Sequence, residues 1–304
     1  MKASAKDVLT AKIYFSAAFP ALRVPLEEDA AQVKKFEKVN AVVEFRAADD
    51  ENPVACYIVF LTEEMAAKSA HGKRFKVFQG EYPGYIEMAD GSKAEDIKVV
   101  KMYFKSIKSL LGVFKGSSPL EMLGIVSPLV KNILNPVTMK FLFLMLTLTK
   151  TMPTFTPDKS QPWEQYLKVK LSLYLITRAL STANRLGWPE MADWTAKQPD
   201  RTYQFIVGAT KDASGKEIYP EIKAYLRVKN GKTKAGNGER PYPFVLFKFP
   251  DPDGCLAVLT NRYDFVESVE KGCVTIIGAA DSYAVQFNDI MGKCQAMLVP
   301  EPKA

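Results

Sequence analysis

Thr202-Tyr-Gln-Phe-Ile-Val-Gly-Ala209 and Glu221-Ile-Lys-Ala-Tyr-Leu-Arg-Val-Lys229 decide the fold class. In the first, Tyr203, Phe205 and Val207 fall on one face. In the second, Ile222, Ala224, Leu226 and Val228 alternate with polar neighbours, the period of a half-buried strand. Lys211–Gly215 (KDASG) supplies turn residues between them, and Asn230–Pro241, with three glycines, reads as a hairpin loop before a third strand, Phe244–Phe249. The expectation is an antiparallel three-stranded meander. Pro250, Asp251 and Pro252 then end the strand and supply helix-start chemistry for Gly254–Tyr263. A short helix at Phe265–Glu270, a short buried strand at Val274–Ile277 and a terminal helix over Ser282–Leu298 complete an α+β pattern. The terminal helix shows itself in the spacing of Tyr283, Phe287, Ile290, Met291, Cys294 and Met297.

Working outward, the first half repeats this order. Asn40–Ala47 and Val54–Leu61 correspond to the first two strands, and Tyr85–Met88 precedes Asp90-Gly91 as Val245–Phe249 precedes Asp251. The Lys115-Gly116 step matches Lys271-Gly272, and the apolar helix Val137–Met152 takes the place of Ser282–Leu298. A long helix and a proline-led helix precede each set of strands: Ala5–Phe19 with Pro25, then Trp163–Leu186 with Pro189. Two tandem modules are expected, residues 1–155 and 156–304, divided where Pro153, Pro157 and Pro162 cluster.

Composition narrows the function. A single histidine, His71, lies in a polar stretch, and no carboxylate pair occupies an apolar context. This disfavours His-dependent triads and paired-carboxylate chemistry. Cys56, Cys255, Cys273 and Cys294 form no metal-ligand spacing, so neither a metal nor a cofactor is expected, and a reducing cytoplasmic location fits best. The excess charge of +7 is spread over both halves and is mostly lysine, which argues against nucleic acid and allows an anionic membrane surface. Gly231–Gly238 (GKTKAGNG) lacks the spacing of a phosphate loop and opens no helix. Phe141–Thr149 is far shorter than the roughly 20 apolar residues of a membrane span.

One segment carries a charge pattern of its own. On a helical wheel over Ala94–Lys115, Lys98, Lys101, Lys105 and Lys108 share an arc opposite Val99, Met102, Tyr103, Ile107 and Leu110. The expectation is a basic amphipathic helix whose four lysines touch anionic headgroups transiently.

The stretch Pro243–Leu298 resembles the sterol carrier protein type 2 family. The motifs are Phe244-Val-Leu-Phe-Lys-Phe249 running into a helix, Asp264-Phe-Val-Glu-Ser-Val-Glu-Lys-Gly272 before a short strand, and Asn288-Asp-Ile-Met291 in the terminal helix. The match covers about the last hundred residues and reaches the first half only through the repeat, where a long apolar insertion follows Gly116. The resemblance implies a mostly antiparallel sheet covered by helices, with a hydrophobic tunnel between them and the terminal helix as lid. Phe205, Leu226, Phe247, Phe265, Val266, Ile276, Phe287 and Met291 would line it. The expected function is noncovalent binding, with possible transfer, of a fatty acyl, sterol or phospholipid ligand, without catalysis. Two alternatives stand beside it: an enzyme using Tyr or carboxylate acid-base groups on a hydrophobic substrate, and an interaction scaffold with filled modules. The oligomeric state is open.

Overall fold

The computed structural model describes residues 3–48, 53–115, 134–152, 155–158, 160–198, 200–279 and 281–299. The chain divides into two compact units, one running to Thr147 and the other covering Leu148–Val299. The insertion after Lys115 and the carboxy-terminal Glu301–Ala304 fall outside the described residues. Each unit is α+β, with one main, mostly antiparallel sheet.

The first unit opens with α1 (Ala5–Ile13), where Ser4 and Asp7 exchange the hydrogen bonds of a capping box. A π-helical turn, Tyr14–Ala18, carries it into α2 (Phe19–Ala21), followed by α3 (Arg23–Glu28) and α4 (Ala30–Phe36). Next come β1 (Ala41–Ala47), β2 (Val54–Phe60), α5 (Glu63–Lys68), β3 (Phe75–Gln79), β4 (Ile86–Glu87), β5 (Lys93–Ala94) and β6 (Lys98–Phe104). Two helices follow, α6 (Ile107–Lys115) and α7 (Pro136–Thr149). The sheet order is β3-β2-β1-β6, with β6 parallel to β1 and the other pairs antiparallel. Phe45 on β1 is the hub of one face: the Phe19, Phe141, Phe15 and Phe114 rings lie 4.8 to 6.1 Å from it. On the other face Val42 and Val59 are covered by Leu61, Ala66 and Ile86.

This overturns the basic amphipathic helix. Lys98 and Lys101 occupy exposed strand positions, Lys105 precedes α6 and only Lys108 is helical, so the four lysines share no helical arc. Val100, Met102 and Phe104 are the buried residues of β6, alternating with Lys101 and Tyr103. Their β-branched and aromatic side chains suit a pleated surface, and pairing with β1 decides the matter. Tyr85–Met88 is corrected likewise. Ile86–Glu87 pairs with Lys93–Ala94 in a separate ribbon, and the sheet's fourth strand is β6.

The second unit starts with α8 (Pro162–Arg185) and α9 (Pro189–Ala196), both with proline in the first turn, where its missing N–H costs nothing. The strands β7 (Thr202–Val207), β8 (Thr210–Lys211), β9 (Glu217–Tyr219), β10 (Ile222–Lys229), β11 (Lys232–Asn237) and β12 (Val245–Phe249) follow. The unit ends in α10 (Pro252–Leu259), α11 (Phe265–Glu270), β13 (Thr275–Gly278) and α12 (Asp281–Leu298). The sheet order is β11-β10-β7-β12-β13. Two expectations fail here. The glycine-rich hairpin loop contains β11, antiparallel to β10, and β12 runs parallel to β7, so the three expected strands form no meander. Asn230 and Gly231 carry the connection from β10 to β11 at φ of 51° and 68°, the left-handed pair that a two-residue hairpin turn requires.

Candidate functional site

An apolar layer of the second unit lies between the sheet and α12. On α12 Ala284, Phe287, Ile290, Met291, Cys294, Met297 and Leu298 are buried, the 3.6-residue stripe of a helix resting on a core. Strand alternation supplies the opposing side. Tyr203 and Phe205 on β7, Leu226 opposite Tyr203, and Phe247 opposite Phe205 all project to this face. Phe287 is the keystone. Its ring stacks on Tyr203 at 4.5 Å and 8°, and touches Trp194, Phe205 and Phe247 at 5.6 to 5.8 Å. Phe205 and Phe247 stack on each other at 5.0 Å.

Of the eight residues expected to line a tunnel, Phe205, Leu226, Phe247, Phe287 and Met291 are buried in this layer. Phe265 is half-buried at its edge, 6.3 Å from Phe247, and Ile276 is half-buried opposite Phe247. Val266 departs from the expectation: it is 60% exposed, because the short α11 turns Ser268 inward instead. Of the five, Phe205, Phe247 and Phe287 pack directly against one another. Among the described residues, cavities of about 300 to 690 Å³ lie elsewhere, each within one unit, and these are lined by none of the eight.

Polar groups in the layer are few and neutral. The Tyr203 hydroxyl donates to Gln198 Oε1 at 2.6 Å, and burial raises its pKa. Burial likewise pushes the Cys294 thiol up to about 12, so it acts as a small apolar group. No group of three metal-ligating side chains occurs among the described residues.

Sequence reasoning missed three buried charged groups, Lys168, Lys170 and Glu44, of which Lys170 donates to the Tyr166 hydroxyl at 2.7 Å. Lys168 on α8 is 1% exposed, and its Nζ donates to the carbonyls of Met152, at 3.0 Å, and Phe155. Desolvation lowers its pKa to about 8. Glu44 on β1 is also buried, accepting from the Tyr103 hydroxyl at 2.7 Å and the Tyr82 N–H at 3.1 Å. Burial, helped by Glu44, pushes Tyr103 up to about 12. His71 stands apart from them. Its Nδ1 accepts from the Lys73 N–H at 3.2 Å, and desolvation beside Lys76 and Lys73 lowers its pKa.

No family model matches the chain. No curated protein matches it either. Among solved structures it is similar to a conserved hypothetical protein of Thermus thermophilus described as possibly a sterol carrier protein. That match has 18% identity and a TM-score of 0.30, and covers 43% of this chain and 94% of that one. It is similar also to palmitated SCP2L2 from Aedes aegypti, at 18% identity and a TM-score of 0.22, over 36% of this chain and 92% of that one. A third likeness is to the inverting sec-alkylsulfatase Pisa1 from Pseudomonas sp., at 12% identity and a TM-score of 0.23, over 63% of this chain and 32% of that one. With all three scores below 0.5, the functional reading has to rest on this chain's own residues.

Proposed function

We propose that the protein binds a hydrophobic, chain-like ligand noncovalently, with the second unit as the binding module. The observation that carries this reading is the apolar interface between α12 and the sheet. A terminal helix rests there on aromatic rings through Phe287, Met291 and Met297, and the polar groups within are neutral. Methionine repacks around guests of different shape, and a helix that lifts off a sheet opens a site without unpairing a strand. Ligand would replace ring-on-ring contacts under α12, so the packed layer is the closed state. Phe205, Leu226, Phe247, Phe287 and Met291 would supply its wall, with Phe265 and Ile276 at the edge. The sterol-carrier resemblance of Pro243–Leu298 agrees with this reading.

The same reading assigns the protein no chemistry of its own. Both oxygens of Glu44 are engaged by Tyr82 and Tyr103, and the thiols of Cys56, Cys255 and Cys294 are raised by burial. It also takes the two units as copies of one module. Support comes from strand order: in each, the first strand pairs antiparallel with the second, the second with the third, and the first lies parallel to the fourth. β13 is the addition in the second sheet.

Native mass spectrometry of the purified chain, before and after organic extraction, tests the binding reading. The expected result is an adduct lost on extraction and restored by added fatty acid. Absence of any adduct, with no displacement of a fluorescent fatty acid, would remove it.

A further inference from the structure

The outward face of the second sheet, opposite the apolar layer, holds a groove of about 690 Å³ at the start of β7. It is lined by Arg201, Arg227 and Lys229, with Phe244 and, at the exposed mouth, Tyr242. The single lining carboxylate, Asp200, already accepts the Asn230 N–H at 2.6 Å. Antiparallel register places Arg227 directly opposite Lys234, and Lys229 directly opposite Lys232. Like charges facing each other across strands destabilise a sheet. Among the described residues, no carboxylate forms an ion pair with any of these four cations. At the far end of β7 the second cavity of this unit is lined by Glu217, Glu221, Asp251 and Asp253 together with Lys211, and there Glu221 and Asp253 are paired with Lys223 and Arg262.

The groove is held by buried groups. Gln204, fully buried, shares the two Nε2 hydrogens among the carbonyls of Phe205, Ala224 and Gly238 and accepts the Arg240 N–H through Oε1. Arg240 then lies over the Tyr225 ring, 4.6 Å from its centre, and donates to the Tyr225 hydroxyl. Gly236 leaves room for that ring, since a Cβ there would collide with it. The loop pinned in this way ends in Tyr242, which is 98% exposed at φ 53°. A bulky residue in the left-handed region is strained, and strain of this kind clusters at ligand sites. Arg201 is set by its stacking on Phe244 at 4.7 Å. One of its N–H groups goes to the Asp200 carbonyl, leaving the rest of the fork for an acceptor.

We propose that this groove binds a phosphate ester, its oxygens held by Arg201, Arg227 and Lys229 and the group that carries it covered by Tyr242. Arginine forks match phosphate geometry, and a dianionic ester relieves the repulsion built into β10 and β11. Two sources share this chemistry, a soluble aryl or nucleoside phosphate and a phospholipid headgroup. Its cations lie on the face opposite the apolar layer, while Phe244 reaches that layer's edge, 6.3 Å from Tyr203 and 4.9 Å from Tyr283.

The test uses the full chain, phenyl phosphate titrated by calorimetry, and sedimentation with phosphatidylcholine vesicles containing phosphatidic acid. The R227Q/K229Q variant is expected to bind at least tenfold more weakly while unfolding at the same or a higher temperature, since two repulsive pairs are gone. K98Q/K101Q in the other unit should bind as the wild type does. Y242S should weaken phenyl phosphate binding and leave inorganic phosphate unchanged. Binding of phenyl phosphate without vesicles identifies a soluble ester, and vesicle binding displaced by phenyl phosphate identifies a headgroup. Binding of neither, or binding that R227Q/K229Q leaves unchanged, overturns the proposal. Displacement of a fluorescent fatty acid should be equal in wild type and R227Q/K229Q, so the two readings can fail separately.

Discussion

Phe287 touches four aromatic rings from one position on α12, so what replaces it reports on the whole layer. Tryptophan there overpacks the stack against Tyr203 and should cost ~1 to 3 kcal/mol of stability. F287W is therefore expected to stay folded and to lose most of its affinity for a fluorescent fatty acid. Unchanged displacement would separate ligand binding from this layer. Phe287 was legible because a helical period of apolar residues admits one buried side. Lys168 was not, because a lysine in a helix ordinarily reads as a solvated charge, and the carbonyls of Met152 and Phe155 that receive it are remote in sequence. Its pH signature has a definite sign. The amine has a pKa of about 8 in the fold against 10.5 ordinarily, so between these values the unfolded chain holds a proton that the fold has released. Stability from this group is complete above 10.5 and is lost as pH falls through 8. Urea denaturation at pH 7.5 and 9.5 should show wild type gaining on K168M at the higher pH. Parallel behaviour of the two proteins would mean that the ammonium is solvated.

Elements were legible where one period dominated and misread where two coincided. In Lys98–Phe104 the lysines at 98 and 101, continued by Lys105, fit a helix, while Val100, Met102 and Phe104 fit a strand, and seven residues are too few to separate 3.6 from 2. What resolves it is nonlocal, the parallel pairing with β1. β11 was hidden by its composition of lysine and glycine, unusual in a strand, although Asn230-Gly231 is a strong hairpin signal in its own right. That turn permits a direct check. Gly231 sits at φ 68° with open space around its Cβ position, so a G231A change is purely a backbone effect. Placing alanine in the left-handed region should cost ~1 to 2 kcal/mol in urea denaturation, with amide exchange quickening first in Lys232–Asn237. Wild-type stability and protection in G231A would argue that β10 and β11 are not joined by this turn.

At the scale of the molecule, the repeat of element order pointed to two modules, and the contact pattern divides the chain at Thr147 and Leu148, within the apolar helix that the sequence had placed wholly in the first module. Each unit has its own aromatic centre: Phe45 with Phe15, Phe19 and Phe141 in one, and Phe247 with Phe205 and Phe287 in the other. A core that closes within one unit melts with that unit, so cooperativity should follow the division and not the whole chain. Differential scanning calorimetry of the intact protein is expected to need two transitions. Truncating a buried phenylalanine to alanine costs ~3 to 5 kcal/mol, and in a domain of this size each kcal/mol moves the midpoint by about 2 to 4 °C. F45A should therefore lower one transition by roughly 10 °C and leave the other in place, and F247A should do the reverse. If both variants shift a single shared transition, the units unfold as one cooperative body and the reading of independent modules fails. If F45A leaves fatty-acid displacement intact while F247A abolishes it, binding belongs to the second unit, whose α12 closes over Phe247.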